Sequence, residues 1–169
     1  MKRATILFLG PCRKFDPATS KPFPAFSPQS RSGKFLRNAI DATAASSDVI
    51  IRFDNVIPRA LFDKEGRERY PSCGELVEEL EGHALWKLSR SDVVIGLSAI
   101  VGEALQRVQS TRLEAGDRAG PTLMRLEHPS FMMRRPVHER TDYVRRLREC
   151  IHSAVGVAIS PNAVAMASA

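Results

Sequence analysis

The chain has 169 residues, of which 43% are hydrophobic, 26% are charged and only 7% are aromatic. This is the length and composition of one globular domain, and it excludes a disordered chain and a small disulfide scaffold. The 25 Lys and Arg residues exceed the 19 Asp and Glu residues, which gives a formal net charge of +6. We therefore expect an anionic partner.

The cysteines and the apolar runs exclude further classes. Cys12, Cys73 and Cys150 are odd in number, widely spaced and form no C-x-x-C pair, so we expect neither a zinc site nor an iron–sulfur cluster, and we interpret them as reduced thiols in a cytoplasmic protein. The apolar run near the N-terminus stops at Gly10, which favours a buried strand over a signal peptide. No apolar run reaches the ~20 residues of a membrane span.

Short apolar runs alternate with helical periodicity along the chain. The predicted elements, in order, are a strand at 5–9, a helix at 33–45, a strand at 48–53, a helix at 72–88, a strand at 92–97, a helix at 99–109, a strand at 122–126 and a helix at 137–154. Ser72 and Glu75 form a capping-box pattern at the start of the second helix. Trp86 on that helix is expected in the core. The alternation predicts an α/β three-layer sandwich with a central, mostly parallel four-stranded sheet.

Two long connections follow strands of this predicted sheet. Residues 10–32 contain five prolines and show no periodicity, and residues 54–71 form the second connection. Both leave the carboxyl edge of the sheet, where open α/β folds bind their ligands. We expect residues 1–155 to form a single domain and residues 156–169 to form an extra strand or a loosely held tail.

The segment 126–136 carries the most specific pattern, Leu-Glu-His-Pro-Ser-Phe-Met-Met-Arg-Arg-Pro. It follows a strand and precedes a helix, so His128 is expected at a strand end and the turn after it at the surface. Phe131 and the two methionines that begin at Met132 are expected to be exposed and suit a wedge that enters a base stack. Arg134 and Arg135 suit phosphate contacts. A proline-rich turn with a solvated basic flank explains the segment equally well.

Several motifs occur in an order that resembles the uracil-DNA glycosylase superfamily, most closely its small bacterial branches without iron–sulfur cysteines. They are Gly10-Pro11 after the first strand, Pro22-Phe23 followed by Ser32-Gly33, Asn55-Val56 after the second strand, the third strand, and His128-Pro129-Ser130. The resemblance spans about residues 4–151. It implies the fold of that superfamily and base flipping followed by hydrolysis of an N-glycosidic bond, without a metal.

The resemblance also implies roles for single residues. His128 would bond the base and steady negative charge on the departing ring, Asn55 would read the Watson–Crick edge, and Phe23 or Phe26 would stack on the base. Gly10, Pro11 and Cys12 would line the base pocket. Contacts to DNA would come from Ser32 and Gly33 at a helix start and from the loop residues Pro129, Ser130, Phe131, Met132, Arg134 and Arg135.

The first motif departs from the family pattern. An acidic or amide residue usually follows the first glycine and positions the water, but Pro11-Cys12 follows Gly10 here. Asp16 is the nearest carboxylate and our candidate for the catalytic base, although Asp16-Pro17 is also a common turn starter. Outside the family pattern, Asn55 is also typical of a turn. The altered loop favours a modified base as the substrate at least as much as uracil.

Three function classes remain from the sequence. The first is a monomeric DNA glycosylase that acts on single- or double-stranded DNA. The second is a non-catalytic DNA-binding module of the same fold, because the usual water-positioning residue is missing. The third, a small-molecule hydrolase or nucleotide-binding protein, lacks a Gly-rich phosphate motif. Between residues 125 and 148, seven arginines accompany three acidic residues, a net charge of +4 that favours DNA.

Overall fold

The computed structural model describes residues 3–41, 49–117 and 120–159, without the side chains of 157–159. The elements in chain order are β1 (Ala4–Cys12), β2 (Phe15–Asp16), β3 (Lys21–Pro22), α1 (Arg31–Asp41), β4 (Val49–Ile57), β5 (Leu61–Phe62), β6 (Glu68–Arg69), α2 (Cys73–Glu79), a π-helical turn (Leu80–Ala84), α3 (Leu85–Ser89), β7 (Val93–Leu97), α4 (Ala99–Glu114), β8 (Thr122–Leu126), α5 (Pro129–Met132) and α6 (Val137–Ile159).

Four parallel strands form the central sheet in the order β4-β1-β7-β8. The two inner strands, β1 and β7, are buried along almost their whole length, which explains their continuous apolar sequences. Among the described strands, the outer strand β4 pairs with β1 alone, and its register sets Gly10 beside Asn55. Two residues from separate chain segments therefore meet at the carboxyl edge of the sheet.

Helices cover both faces of the sheet. Ile6 and Phe8 of β1 belong to a core shared with α1 and α6, whereas Leu7 and Leu9 belong to a second core shared with α2, the π turn and α4. The alternation follows from the two-residue period of a strand. The expected three-layer α/β sandwich around a parallel four-stranded sheet is confirmed.

The capping box expected at Ser72 and Glu75 is present at the start of α2. Ser72 Oγ accepts a hydrogen bond from the Glu75 backbone N–H, and the Glu75 carboxylate accepts one from the Ser72 N–H. Glu75 also pairs with Arg69 at the end of the hairpin β5–β6. These bonds hold the pKa of Glu75 at about 2. The cap thus joins the second long connection to the helix that follows it.

Several element boundaries differ from those expected. Strand β1 continues past Gly10 to Cys12 and β4 continues past Asp54 to Ile57, because both pair in register at the sheet edge. Each long connection contains a short hairpin, β2–β3 and β5–β6. Residues 156–159 continue α6 rather than starting a tail or strand, and residues 42–48 and 160–169 lie outside the described part.

Trp86 does not enter the core, contrary to the expectation from its apolar neighbours. Its side chain is 53% exposed, with the Arg90 guanidinium 5.3 Å from the ring centroid. Lys87, the next residue, is buried instead. The π turn before α3 adds one residue to the helical turn, so the apolar stripe of α2 does not continue with a plain four-residue spacing through Trp86.

Candidate functional site

Four residues from four separate segments meet at the carboxyl edge of the sheet, on the side of α1 and α6. They are Gly10 at the end of β1, Phe26 in the first long connection, Asn55 in β4 and His128 after β8. The rings of Phe26 and His128 lie 5.7 Å apart between centroids. A methyl group on Gly10 would lie 2.7 Å from Cζ of Phe26 and would also overlap Oδ1 of Asn55. We call these four residues the pocket cluster.

Phe26 is held in an unusual backbone conformation. Its φ is +48°, which is uncommon for a residue with a bulky side chain and persists only where neighbours enforce it. The Arg37 Nε–H donates a hydrogen bond of 2.7 Å to the Phe26 carbonyl. On the other side, a Cβ on Gly33 would lie 2.6 Å from the carbonyl carbon of Phe26. Only a glycine in α1 allows the helix to lie this close.

This placement changes the interpretation of Ser32 and Gly33. Gly33 is buried against the backbone of Phe26 and Ser27, so it supports the stacking ring from behind and offers no surface to a DNA strand. The expected DNA contact of Gly33 is therefore wrong. Ser32 is partly exposed in the first turn of α1, and its DNA contact stays a prediction. Ser30 caps the helix, since its Oγ accepts a hydrogen bond from the Gly33 N–H.

Asn55 is a buried strand residue rather than a turn residue, with 4% of its surface exposed. Side chains bond its peptide on both sides. Oδ1 of Asp54 accepts a hydrogen bond of 2.8 Å from the Asn55 N–H, and the Lys87 ammonium donates one of 2.7 Å to the Asn55 carbonyl. The side-chain amide of Asn55 lies beside Gly10 and is available to a ligand's polar edge.

His128 is the N-cap of the short helix α5. Its Nδ1 accepts a hydrogen bond of 3.2 Å from the Ser130 N–H and lies 2.7 Å from the Ser130 hydroxyl oxygen. Burial, and then the positive charge of Lys14, lower the pKa of His128 to about 4. The imidazole is therefore neutral at pH 7. Because Nδ1 is an acceptor for the backbone N–H, the ring proton lies on Nε2, which leaves a hydrogen-bond donor at the other end of the ring.

The strand end before His128 is anchored to α6. The buried Tyr143 hydroxyl donates a hydrogen bond of 3.1 Å to the Glu127 carbonyl, and the Arg146 guanidinium pairs with the Glu127 carboxylate at 3.0 Å. Burial raises the pKa of Tyr143, so the phenol remains a donor. These bonds fix the direction in which the chain leaves β8 and place the imidazole beside Phe26.

The loop after His128 is only partly the exposed wedge that the sequence predicts. Phe131 is 49% exposed, with the Arg135 guanidinium 4.7 Å from its ring centroid. Met132, in contrast, is 3% exposed and packs into the core shared with α1 and α6. The expected exposure of Met132, and with it a direct DNA contact, is wrong because α5 turns this side chain inward. Pro129 is buried too, Ser130 is partly buried and Arg134 is exposed.

The arginines of α6 are less available than their number indicates. Arg145 pairs with Asp142 and Glu149, Arg146 with Glu127 and Asp142, and Arg135 with Glu139. Within the described part of the chain, no ion pair or hydrogen bond involves the guanidinium of Arg134. Unpaired positive charge in the described part of the chain therefore lies at Arg134 in the loop and also at the exposed Arg148 on α6.

The other expected site residues stand apart from the pocket cluster. Asp16 is a turn residue of the hairpin β2–β3, where its carboxylate accepts hydrogen bonds from the Ala18 N–H at 3.0 Å and the Thr19 hydroxyl at 2.8 Å. Phe23 is partly buried and donates its N–H to the Lys14 carbonyl. No contact between either residue and the pocket cluster occurs in the described part of the structure.

Pro11 and Cys12 complete β1 beyond Gly10. Pro11 is buried. Cys12 packs against the core on the opposite face of the sheet, that of α2 and α4. Burial raises the pKa of the Cys12 thiol, so it is protonated and unreactive at neutral pH. Its expected place in the base pocket does not fit this orientation.

Sequence reasoning missed two lysines near the pocket cluster. Lys87 bonds Asn55, but its position in an otherwise apolar helix gave no sign of this contact. Lys14 is close enough to His128 to lower its pKa. It also lies 4.8 Å from the centre of the Tyr70 ring and 3.7 Å from Glu68, so the two long connections are joined next to the cluster.

The described residues contain no group of three or more His, Cys, Asp or Glu side chains that could hold a metal ion. None of their helices combines the length and the apolar character needed to cross a bilayer. The pocket cluster itself contains an aromatic ring, an amide and a neutral imidazole.

Comparison with known proteins identifies the fold. No protein-family model and no curated protein matches the sequence. Among the solved structures that match is wild-type SMUG2 of Pedobacter heparinus, with a TM-score of 0.55 and 14% sequence identity over 90% of this chain and 76% of that chain. SMUG2 is a member of the uracil-DNA glycosylase superfamily. The resemblance found in the sequence is thereby confirmed at the level of the fold.

Proposed function

We propose that the protein is a DNA glycosylase that rotates a base out of DNA and hydrolyses its N-glycosidic bond. The observation that carries this proposal is the pocket cluster, in which a constrained aromatic ring, a buried amide and a neutral imidazole surround a position without a side chain. These groups supply the two kinds of contact that recognise a flat, polar-edged base, a face for stacking and hydrogen-bonding groups for its edge. The likeness in fold to a DNA glycosylase supports the same assignment.

Each group has a role that its chemistry allows. The Phe26 ring stacks on the extruded base, and the side-chain amide of Asn55 bonds its edge with one donor and one acceptor. Gly10 lets Phe26 and Asn55 lie close to the end of β1, because even a methyl group there would overlap both side chains. Phe23 stays a second candidate for stacking, although Phe26 has the contacts.

His128 acts on the leaving group. As the glycosidic bond breaks, negative charge develops on the departing base, and a donor already aimed at it lowers the barrier. A neutral imidazole with its proton on Nε2 supplies that donor without prior protonation. Its low pKa lets it keep this role over the whole physiological pH range. No metal or organic cofactor takes part in this proposal.

The DNA backbone lies along the loop after His128. Phe131 is exposed at the position of a wedge, and Arg134 and Arg135 flank it as phosphate contacts. Ser130 and the partly exposed Ser32 border the cluster. Single- and double-stranded DNA are both open as substrates, and we propose that a monomer binds either. The substrate is uracil or a modified base.

The experiment is the release of a base from synthetic oligonucleotides that carry uracil or one of a panel of modified bases. Abasic sites are cleaved with alkali and the free base is identified by mass spectrometry. We expect cleavage with at least one base and its loss, by about 100-fold to 1,000-fold, in His128→Ala. Uncleaved DNA with every base would contradict the proposal.

Asp16 stays our candidate for activating water, and the variant Asp16→Asn tests it. Asp16→Asn keeps an oxygen that can accept the Ala18 N–H, so a residue that serves only the turn tolerates this change. A catalytic base does not. Loss of base release in Asp16→Asn, with an unchanged melting temperature, supports the base, and full activity assigns Asp16 to the turn.

One observation favours a second candidate, a non-catalytic DNA-binding module. In the described part of the chain, the Asp16 carboxylate is bonded within its turn and the Asp54 carboxylate with Lys87 and the Asn55 N–H. A protein of this kind binds DNA in a salt-sensitive manner and leaves every base attached. The same oligonucleotide panel separates the two candidates.

A further inference from the structure

We propose that Lys87 is a positioning residue, which fixes the peptide of Asn55 and thereby sets how strictly the pocket selects its base. This inference rests on the proposed function, in which Asn55 reads the edge of the base. Lys87 itself touches no base. It acts through Asn55 and Asp54.

The three residues form a closed set of bonds. The Lys87 ammonium donates to the Asn55 carbonyl at 2.7 Å and pairs with the Asp54 carboxylate at 3.1 Å. The same carboxylate accepts the Asn55 N–H at 2.8 Å. The N–H and the C=O of one strand residue are both bonded, and neither bond comes from another strand.

The sheet topology explains why side chains are needed here. In a parallel strand, the N–H and the C=O of one residue point to the same side. Among the described strands, β4 is an outer strand with β1 as its only neighbour, so both groups of Asn55 lie on the edge that no described strand covers. Asp54 and Lys87 take the place of the missing strand and hold Asn55 in its strand conformation at the point where the pocket begins.

Burial of Lys87 is costly and therefore calls for an explanation beyond packing. Only 8% of its side chain is exposed, and removing an ammonium group from water is unfavourable even when it is paired. An apolar side chain in the same place would serve the core at least as well. A π-helical turn at Leu80–Ala84 precedes Lys87, and such turns often occur at functional sites.

The consequence concerns selectivity rather than binding in general. Bases differ in the order of donors and acceptors along their edges, so an amide discriminates among them only if its own orientation is fixed. Without Lys87 the Asn55 peptide has no partner for its carbonyl and can rotate. The pocket then accepts bases that the native protein rejects.

The test is a double-mutant cycle that measures single-turnover release of the preferred base and of the next best base. We expect Lys87→Met to lower the ratio of the two rates by about tenfold. In an Asn55→Ala background the same change should leave the ratio unaltered, because the lysine acts through the asparagine. Lys87→Arg, which keeps a charged donor, should restore most of the selectivity.

Arg90→Met is the matched control, since Arg90 is the C-cap of α3, is exposed and places its guanidinium over the Trp86 ring. It should leave the ratio unchanged. If Lys87→Met changes the ratio equally in the wild-type and Asn55→Ala backgrounds, the inference is overturned. An unaltered ratio in Lys87→Met would do so as well.

A spectroscopic readout keeps the inference separate from the proposed function. The side-chain NH2 pair of Asn55 in ¹⁵N-labelled protein should shift or broaden in Lys87→Met and return in Lys87→Arg. If the wild-type protein releases no base, the proposed function fails, and the NH2 signal alone tests whether Lys87 positions Asn55. An unchanged NH2 pair in Lys87→Met overturns the inference. If Lys87→Met does not fold, Asp54→Asn, nearly isosteric, weakens the same contact and is measured in its place.

Discussion

At the scale of single residues, the pocket cluster depends on two glycines, Gly10 and Gly33, which have no Cβ atom. Gly10 lets the Phe26 ring and the Asn55 amide lie against the end of β1, and Gly33 lets the Phe26 backbone lie against α1. The two glycines therefore act on two parts of the same residue. Gly10 makes room for the ring of Phe26, and Gly33 makes room for its carbonyl group.

Gly10→Ala should therefore displace the Phe26 ring and the Asn55 amide without unfolding the protein. The added methyl group would lie 2.7 Å from Cζ of Phe26, and displacing the ring by a few tenths of an ångström should reduce base release by about 100-fold. Gly120→Ala is the control, because its nearest neighbour is Gln109 Nε2 at 3.5 Å. Equal activity of Gly10→Ala and the wild type would show that the base does not enter here.

His128 makes a prediction about pH and stability. Its pKa falls from 6.5 to about 4 on folding, so the unfolded chain binds more protons than the native protein between these values. The stability that depends on keeping His128 neutral is fully present above pH 6.5. About 3 kcal/mol of it is lost as the pH falls through 4. Urea unfolding at pH 7 and at pH 4.5 should show a smaller loss for His128→Gln than for the wild type. A loss of the same size in both proteins would mean that the imidazole titrates normally.

At the scale of elements, two helical glycines differ in the space around them. Gly33 lies in α1, and Gly82 lies in the π turn between α2 and α3. A Cβ on Gly33 would overlap backbone atoms of Phe26 and Ser27, which cannot move aside like a side chain. Gly82, in the π turn, has nothing within 4 Å of such a Cβ. Substitution by alanine should therefore destabilise the protein at Gly33 and stabilise it at Gly82.

Gly33→Ala should lower the free energy of unfolding by about 1–3 kcal/mol, because the helix must separate from the loop. Gly82→Ala should raise it by about 0.5–1 kcal/mol, because alanine loses less backbone entropy on folding. Denaturant unfolding of the two variants measures both changes. A destabilised Gly82→Ala would indicate that the π turn requires glycine.

Most of the helices and strands could be predicted from the sequence. Apolar runs and helical periodicity depend on local spacing, so the parallel sheet, its helices and the Ser72 cap were predictable. The motifs Gly10, Asn55 and His128 could be assigned to strand ends, and Phe26 was one of two candidates. Met132, Trp86 and Lys87 were not predictable, because α5 and the π turn rotate them through tertiary contacts that no local pattern carries.

At the scale of the whole molecule, charge is divided between two sides. The loop after His128 offers Arg134, while a groove between α2 and α4, on the other face of the sheet, is lined by Glu78, Glu81, Glu103 and Glu114. DNA is attracted to the first side and repelled by the second. The net charge of +6 thus orients the protein on a polyanion as well as attracting it.

Arg134→Ala should weaken DNA binding and reduce the slope of log K against log salt by about one. Arg145→Ala should change neither much, because Arg145 already pairs with Asp142 and Glu149. Both slopes can be measured by fluorescence anisotropy with a labelled duplex at salt concentrations from about 50 to about 200 mM. If the slopes of the two variants fall equally, the DNA follows α6 rather than the loop.

The pocket cluster is assembled from positions 10, 26, 55 and 128, and α6 anchors the last of them through Tyr143. During synthesis on a ribosome, a chain that stops before β8 has the glycine, the ring and the amide but lacks the imidazole and its anchor. Under the proposed function, a prematurely terminated product should therefore release no base, whatever part of the sheet it forms. Two halves of the chain, split in the segment between α4 and β8, should regain function only when they are combined.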